Sequence, residues 1–291
     1  MGKITAFFRL TRIEHSIMLM IAVLAGELVA RGIPGPAVLI ASMITPAFVS
    51  MGSFAINDYF DVDVDKANMY HKRPLVSGEL STAFALWASI FFLVAGPLVS
   101  LLISPLAFAI AVIFALLAFL YSYILKGTLL VGNAYIAFSM AIPFIYGAVV
   151  SSGTVPPVIW LVAIVTFLSG LAREIHGMIR DHHGDSSARK ISNVVTHMGG
   201  TRSAYFSLIL YAEAIAISIY MFFLFRPFAG NLAYLMPILV VDIILGYVGV
   251  AGVVSKRPDK FHRSISRNLS LIAMTLALLI YLVSAVVYLP V

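Results

Sequence analysis

The sequence contains no cysteine, which excludes disulfide bonds, thiolate metal ligands and a cysteine nucleophile. Charge is also scarce: Asp, Glu, Lys and Arg make up 11% of the 291 residues, whereas hydrophobic residues make up 61%. A soluble domain needs more polar surface than this to cover its core. The composition therefore predicts a protein whose solvent is the lipid bilayer. We expect no cleavable signal peptide, because no small-residue cleavage site follows the first apolar run.

Long apolar runs separated by polar connections predict the transmembrane helices. A spanning helix needs about 20 mostly apolar residues, and nine stretches are candidates. They are roughly 13–30, 37–57, 82–101, 105–125, 130–150, 158–173, 203–225, 233–254 and 265–289. The predicted fold class is an all-α polytopic membrane protein with nine transmembrane helices, in which residues 1–291 form a single integral membrane domain.

The distribution of basic residues predicts the orientation of the chain. Short, nearly uncharged connections alternate with charged ones, and of the 19 Lys and Arg residues only Arg31 and Arg226 fall on the uncharged side. By the positive-inside rule the charged side is cytoplasmic, which places the N-terminus inside and the C-terminus outside, in a membrane expected to be a prokaryotic plasma membrane. The net charge of +6 is then explained by the basic residues that set the membrane topology and contact anionic lipid headgroups. Nucleic-acid binding is not expected, since no folded cytoplasmic module is present to carry it.

A faint internal repeat relates the two acidic motifs. Asp61 and Asp65 follow the second predicted span, and Asp181 and Asp185 follow the sixth, 120 residues later with the same spacing. Four intervening spans would place both motifs on one side of the membrane. The pattern suggests a four-helix unit present twice, in residues 1–125 and 126–254, followed by a ninth helix.

The first acidic motif has the spacing of one helical face. If the helix continues past the second span, four of its side chains share a stripe and Asp63 points elsewhere. The stripe consists of Asn57, Asp58, Asp61 and Asp65. Stacked carboxylates at a membrane surface are unfavourable without a cation. Ligands that are all oxygen atoms suit a hard ion such as Mg²⁺, which takes its remaining ligands from waters and substrate phosphates.

The second motif repeats this chemistry on another predicted helix. Asp181 and Asp185 stand at i and i+4, and Glu174 precedes Asp181 by two helical turns. Two such clusters facing each other would hold more than one Mg²⁺ around a diphosphate. A diphosphate also needs direct cationic donors, and Arg73 and Lys126 are the candidates on the predicted cytoplasmic side.

Together these motifs resemble those of the UbiA superfamily of intramembrane prenyltransferases. The resemblance covers nearly the whole chain and rests on Asn57-Asp58-x-x-Asp61-x-x-x-Asp65, Arg73-Pro74-Leu75-x-x-Gly78, Tyr121-x-x-x-x-Lys126, Asn133 and Asp181-x-x-x-Asp185. One departure is that Ile13 follows Arg12 where other members have proline. Within the superfamily the sequence is most similar to the archaeal digeranylgeranylglyceryl phosphate synthases.

The resemblance implies nine helices around a central cavity and a set of site residues. The metal ligands would be Asn57, Asp58, Asp61, Asp65, Asp181 and Asp185. The substrate-binding residues would be Asn57, Arg73, Tyr121, Lys126, Asn133 and Glu174. The catalytic residues would be Asp61, Asp65, Asp181, Asp185 and Lys126. The implied reaction is the Mg²⁺-dependent transfer of a prenyl group, through an allylic cation, from geranylgeranyl diphosphate to the hydroxyl of geranylgeranylglyceryl phosphate in ether lipid synthesis.

Two other functions stay open at this point. An aromatic acceptor, as in quinone, haem or chlorophyll synthesis, would use the same donor chemistry. An archaeal-type acceptor needs a phosphate site, which Arg12, His15 and the basic stretch 180–190 would provide. A transporter of lipid phosphates or ions would need polar groups along a path to the outer side, and the outer connections contain almost none.

Several polar residues outside the two motifs have alternative interpretations. His176, His182 and His183 suggest zinc, but they lack the i, i+4 pairing typical of a helical zinc site. Glu213 and Asp242 lie inside predicted spans, where an acid is a candidate functional residue. For these two acids we favour a hydrogen-bonded contact between helices.

Overall fold

The computed structural model describes residues 2–30, 32–67, 70–128, 130–188, 194–255 and 261–287, with side chains given except at 127 and 182–188. All regular structure in these ranges is helical. The helices are α1 Lys3–Thr11, α2 Ile13–Val29, α3 Pro36–Ala67, α4 Thr82–Ser100, α5 Pro105–Tyr123, α6 Val131–Ser152, α7 Pro157–Ala188, α8 Val194–Met198, α9 Gly200–Leu224, α10 Leu232–Val254 and α11 Arg267–Val287. A 3₁₀ turn, Leu125–Gly127, precedes α6, and a π-helical segment, Phe261–Ser266, runs directly into α11.

Eight helices in the described ranges are long and apolar enough to cross a membrane. They correspond to the second through ninth predicted spans. The first predicted span forms α2, which has 17 residues and is therefore about 26 Å long, shorter than the hydrocarbon core of about 30 Å. The predicted all-helical membrane fold is thus confirmed, and eight of the nine predicted spans have the length and composition of a membrane helix.

Two helices extend well past the ends of the predicted spans. α3 and α7 each contain 32 residues, which corresponds to about 48 Å. Each exceeds the thickness of the hydrocarbon core by about 18 Å, which is about three helical turns. The acidic motifs therefore lie on continuous helices rather than in loops, which satisfies the condition on which the predicted stripe of carboxylates depended.

The chain divides into two compact units. The first comprises residues 1–24 and 33–125, and the second comprises residues 25–32 and 126–291. In the first unit α3 packs along α4 and also contacts α1 and α5. The boundary after Leu125 coincides with the end of the first predicted repeat, and the repeat itself stays a prediction.

Small residues allow close helix packing in the first unit. A Cβ atom added to Gly52 of α3 would lie 2.7 Å from Leu93 Cγ of α4, and one added to Gly96 would lie 3.0 Å from the carbonyl oxygen of Thr45. Glycine at these positions lets two backbones approach, as is common in membrane helix pairs. In the second unit α7 packs against α6 and α9, and α10 packs against α9 and α11.

Candidate active site

The last turns of α3 bury three carboxylates on one face of the helix. Asp58, Asp61 and Asp65 are 3%, 5% and 4% exposed. The side chain of Asp63 is 91% exposed and lies 3.7 Å from Lys66 Nζ. The helical periodicity that separated Asp63 from the other three is thereby confirmed, since positions i, i+3 and i+7 share a face that i+5 does not.

Two arginines contact the buried carboxylates of Asp58 and Asp65. Arg73 Nη1 lies 2.6 Å from Asp58 Oδ1 and 3.0 Å from Asp65 Oδ2. Arg12 Nη2 lies 3.4 Å from the same oxygen of Asp58, and the Arg12 guanidinium also stacks over the ring of Phe54, 4.5 Å from its centroid. These contacts hold Asp58 and Asp65 in place, and a third buried carboxylate, that of Asp61, lies on the same face of α3.

Arg12 occupies an unusual backbone conformation between α1 and α2. Its φ and ψ are 45° and 59°, the left-handed region, and it is the single non-glycine residue with positive φ in the described part of the chain. Such a conformation costs about 1–2 kcal/mol for a residue with a Cβ. The sequence pointed to Arg12 only as a contact for an acceptor phosphate, and its position on Asp58 could not be inferred from spacing.

Three further predicted site residues lie on α3, on α5 and in the 3₁₀ turn after α5. Asn57 Nδ2 donates a hydrogen bond to Asp61 Oδ2 at 3.1 Å, so the amide orients a carboxylate of the stripe. Tyr121 is half-buried near the C-terminal end of α5. Lys126 is half-buried in the 3₁₀ turn at the beginning of the second unit.

The second acidic motif lies in the C-terminal half of α7, where Asp181 is more exposed than the carboxylates of the first motif. Glu174 is hydrogen-bonded to the Asn133 side chain of α6, and its Oε1 lies 3.4 Å from Arg173 Nη1. These contacts bring together two residues that the sequence predicted to bind substrate. They also tie α7 to α6 at the level of the acidic motif.

Asp181 is paired with its neighbour along the helix. Arg180 donates two hydrogen bonds to the Asp181 carboxylate, at 2.7 and 2.6 Å, and the Asp181 side chain is 48% exposed. Asp185 lies one turn further along the same helix. The side chain of Asp185, like those of His182 and His183, lies outside the described residues.

The donor set of the first cluster fits Mg²⁺. Within the described residues, no three His, Cys, Asp or Glu side chains converge as a ready-made metal site. Mg²⁺ does not require such a cage, because it keeps several waters and usually binds one or two carboxylates together with substrate phosphates. Buried carboxylates on successive turns of one helix provide ligands of that kind.

A buried cluster in the second unit includes residues that the sequence interpretation missed. His176 Nδ1 lies 2.6 Å from Ser266 Oγ and 3.1 Å from His262 Nδ1. All three residues are at most 2% exposed, and His262 and Ser266 belong to the π-helical segment before α11. The available signal was the i, i+4 spacing of His262 and Ser266 at the start of the last span. The contacts of His176 are with a serine and one histidine, which gives no support to zinc.

Gly252 of α10 makes room for this histidine pair. An added Cβ would lie 2.8 Å from His176 Cε1 and 3.3 Å from His262 Cε1. We therefore expect Gly252→Ala to destabilise the protein by about 1–3 kcal/mol, the usual cost of overpacking a core, as measured by thermal unfolding in detergent. Gly246→Ala on the same helix is the matched control, because its Cβ would approach nothing closer than 3.8 Å. Equal melting temperatures for the two variants would contradict the expectation.

The two acids inside predicted spans differ from each other. Asp242 is 7% exposed and accepts a hydrogen bond from Ser218 Oγ of α9 at 2.8 Å, as expected for a contact between helices. Glu213 is exposed on α9, so the same interpretation was wrong for it. The sequence could not distinguish them, because both lie in apolar runs and only the rotation of each helix decides which acid is buried.

Comparison with known proteins gives a consistent assignment along the whole chain. A model of the UbiA prenyltransferase family matches residues 19–279. The digeranylgeranylglyceryl phosphate synthase of Archaeoglobus fulgidus is 36% identical over 274 residues, which cover 94% of this chain and 92% of the relative. Both acidic motifs fall within the range matched by the family model.

Solved structures share the fold. A structure reported with insights into the biosynthesis of digeranylgeranylglyceryl phosphate synthase in membranes superimposes with a TM-score of 0.79 and 26% identity, covering 98% of this chain and 99% of that one. A UbiA homologue from Archaeoglobus fulgidus, solved with GPP and Mg²⁺, gives 0.69 and 19% identity, covering 98% and 100%; that likeness concerns the fold. On the extent of the family match and of the identity to a curated relative, the chain belongs to the UbiA prenyltransferase family.

Proposed function

We propose that this chain transfers a prenyl group from geranylgeranyl diphosphate to the hydroxyl of geranylgeranylglyceryl phosphate, the ether-forming step of archaeal-type lipid synthesis. The observation that carries the proposal is the buried stripe of Asp58, Asp61 and Asp65, which has the charge and the oxygen donors that an Mg²⁺–diphosphate requires. A digeranylgeranylglyceryl phosphate synthase that is 36% identical to this chain, in an alignment that covers 94% of it, supports the choice of acceptor.

The proposed metal ligands are carboxylates from both motifs, assisted by one amide. Asp58, Asp61 and Asp65 act with Asn57 in the first unit, and Asp181 and Asp185 act in the second. When bound, Mg²⁺ would neutralise the charge that develops on the departing diphosphate. The Asn57 amide donates to Asp61, and this hydrogen bond helps to orient the Asp61 carboxylate.

The remaining proposed residues bind and orient the substrates. Arg73 and Lys126 donate to diphosphate oxygens, Tyr121 contacts the donor, and the hydrogen-bonded pair of Asn133 and Glu174 forms another part of the substrate site. The C1–O bond of the donor breaks and its electron pair leaves with the diphosphate. The acceptor hydroxyl then attacks the allylic cation at C1, and its proton passes to the released diphosphate. Apolar surroundings protect the cation from water.

The proposed membrane topology has nine spans. α2 is counted as the additional span, since its 17 residues are at the lower limit for crossing a bilayer. With nine crossings and the observed bias of basic residues, the N-terminus and the site are cytoplasmic and the C-terminus is outside. The whole chain, residues 1–291, acts as one enzyme in the plasma membrane of a prokaryote.

A donor and acceptor panel tests the proposal. Purified protein in nanodiscs would be incubated with labelled geranylgeranyl diphosphate, Mg²⁺ and either geranylgeranylglyceryl phosphate or 4-hydroxybenzoate, with products identified by mass. We expect the ether product with the glyceryl phosphate alone, and no product after chelation by EDTA. Prenylation of the aromatic acceptor alone would assign the chain to the quinone-type branch instead. Absence of any Mg²⁺-dependent product would refute prenyl transfer itself.

A further inference from the structure

The N-terminal helix α1 contacts the segment that carries Arg73. Arg9 Nη1 donates to the carbonyl oxygen of Lys72 at 2.9 Å, and Arg9 Nη2 forms an ion pair with Glu79. The Arg9 guanidinium therefore binds both ends of the segment 72–79. Arg73 is the residue directly after Lys72, which accepts the hydrogen bond from Arg9. These contacts link residues 63 and 70 positions apart in the sequence.

Apolar packing fixes the same helix against the same segment. Ala6 and Leu10 of α1 belong to a buried cluster that also contains Leu75 and Leu80. Because Arg9 is adjacent to Leu10, the helix presents an apolar face and a guanidinium to neighbouring parts of one segment. The contact is thus built from burial and hydrogen bonding together.

The chain from Tyr70 to Glu79, which precedes α4, has a defined internal structure. The amide of Arg73 donates to the carbonyl of Tyr70 at 2.9 Å, and the amide of Ser77 donates to the carbonyl of Arg73 at 2.9 Å. Ser77 Oγ donates to Glu79 Oε1 at 3.2 Å. Gly78 has φ of +74°, which a residue with a side chain adopts only with strain. A displacement at either end of such a segment would be transmitted to Arg73.

We propose that Arg9 is a positioning residue, which holds the segment 72–79 so that the Arg73 guanidinium stays on Asp58 and Asp65. Arg9 is too far along the chain from the acidic stripe to be recognised by any motif, and it acts through Lys72 and Glu79 rather than on substrate. The inference rests on the proposed function for its kinetic test only, and a second test is independent of activity.

Loss of Arg9 should affect catalysis more than it affects folding. Arg9 and Glu79 are 31% and 28% exposed, and an ion pair that water partly screens contributes little to folding. A shift of about 1 Å in a binding group, by contrast, reduces catalysis by as much as about a hundredfold. Loss of Arg9 is therefore expected to leave the fold intact while it misplaces Arg73.

The kinetic test compares Arg9→Gln with the wild-type protein. We expect kcat/KM to fall about tenfold to a hundredfold, mainly through a higher KM for the prenyl diphosphate, with the melting temperature unchanged. Arg9→Lys should recover part of the loss, because lysine retains the charge opposite Glu79 but not the two-directional fork of arginine. Lys66→Gln is the matched control: it breaks an exposed ion pair on α3 that has no contact with the segment, and it should retain wild-type kinetics.

The structural test uses the absence of native cysteine. A nitroxide attached to Lys72→Cys, whose side chain is exposed, should be motionally restricted and should become more mobile when Arg9→Gln is added. Addition of Lys66→Gln should leave the spectrum unchanged. A spectrum that Arg9→Gln does not alter would overturn the inference whatever the activity. A wild-type protein that lacks prenyl transfer would instead overturn the proposed function and leave this measurement valid.

Discussion

Asp61→Asn is expected to lower kcat/KM about a thousandfold, the effect of losing about 4 kcal/mol of metal-assisted stabilisation of the leaving group. Asparagine preserves the shape of the side chain and removes its charge from a position that is 5% exposed. One of three stacked carboxylates would become neutral, so the melting temperature should stay the same or rise. Diphosphate release at saturating Mg²⁺ and thermal unfolding in detergent measure the two effects separately.

Asp63→Asn is the control for this experiment. It makes the same chemical change two positions along the same helix, on a side chain that is 91% exposed, and it should retain wild-type activity and stability. If Asp61→Asn kept more than about a tenth of wild-type kcat/KM, the stripe would not be the metal site, since a lost ligand costs several kcal/mol. A fall in both variants would mean that general surface charge is responsible.

Arg73→Gln should impair stability as well as activity. Arg73 contacts two carboxylates that are 3% and 4% exposed, those of Asp58 and Asp65. Removal of one partner from a buried pair costs about 3–5 kcal/mol. Because the Arg73 side chain is 28% exposed, water will screen part of this cost, and we expect about 2 kcal/mol in the free energy of unfolding. Activity should fall as well, since the diphosphate loses a donor.

A second substitution separates these two roles of Arg73. Addition of Asp58→Asn neutralises one of the two carboxylates that Arg73 contacts, so the double variant should regain stability while it stays inactive. Arg12→Gln offers a comparison on the same carboxylate: its contact is longer, 3.4 Å against 2.6 Å, and its destabilisation should be smaller. Additive effects of Arg73→Gln and Asp58→Asn would show that the two side chains do not interact.

Helical periodicity was sufficient to predict which acids share a face. The spacing places Asp58, Asp61 and Asp65 on one stripe and excludes Asp63, because a helix fixes the direction of each side chain relative to its neighbours. The apolar runs likewise predicted where membrane helices lie. Both are local properties, which depend on residues within a few turns of one another.

Local sequence patterns do not predict contacts between segments that are distant in the sequence. The partners of Arg73, the position of Arg12 on Asp58, and the pairing of His176 with His262 depend on how helices pack and rotate. The same limitation explains why Glu213 and Asp242 were given one interpretation although only Asp242 is buried. Arg9 belongs to no motif, and only its contacts with Lys72 and Glu79 indicate a role for it.

The continuity of α3 restricts which insertions and deletions its C-terminal half can accept. Each residue rotates the helix by about 100°. A single residue inserted into the apolar part of α3, before Asp58, would therefore turn all three carboxylates away from Arg73. A deletion or insertion of seven residues restores the rotation to within about 20° but moves the acids about 10 Å along the axis. Relatives of this chain are therefore expected to differ in loop lengths while they keep the number of residues along this helix.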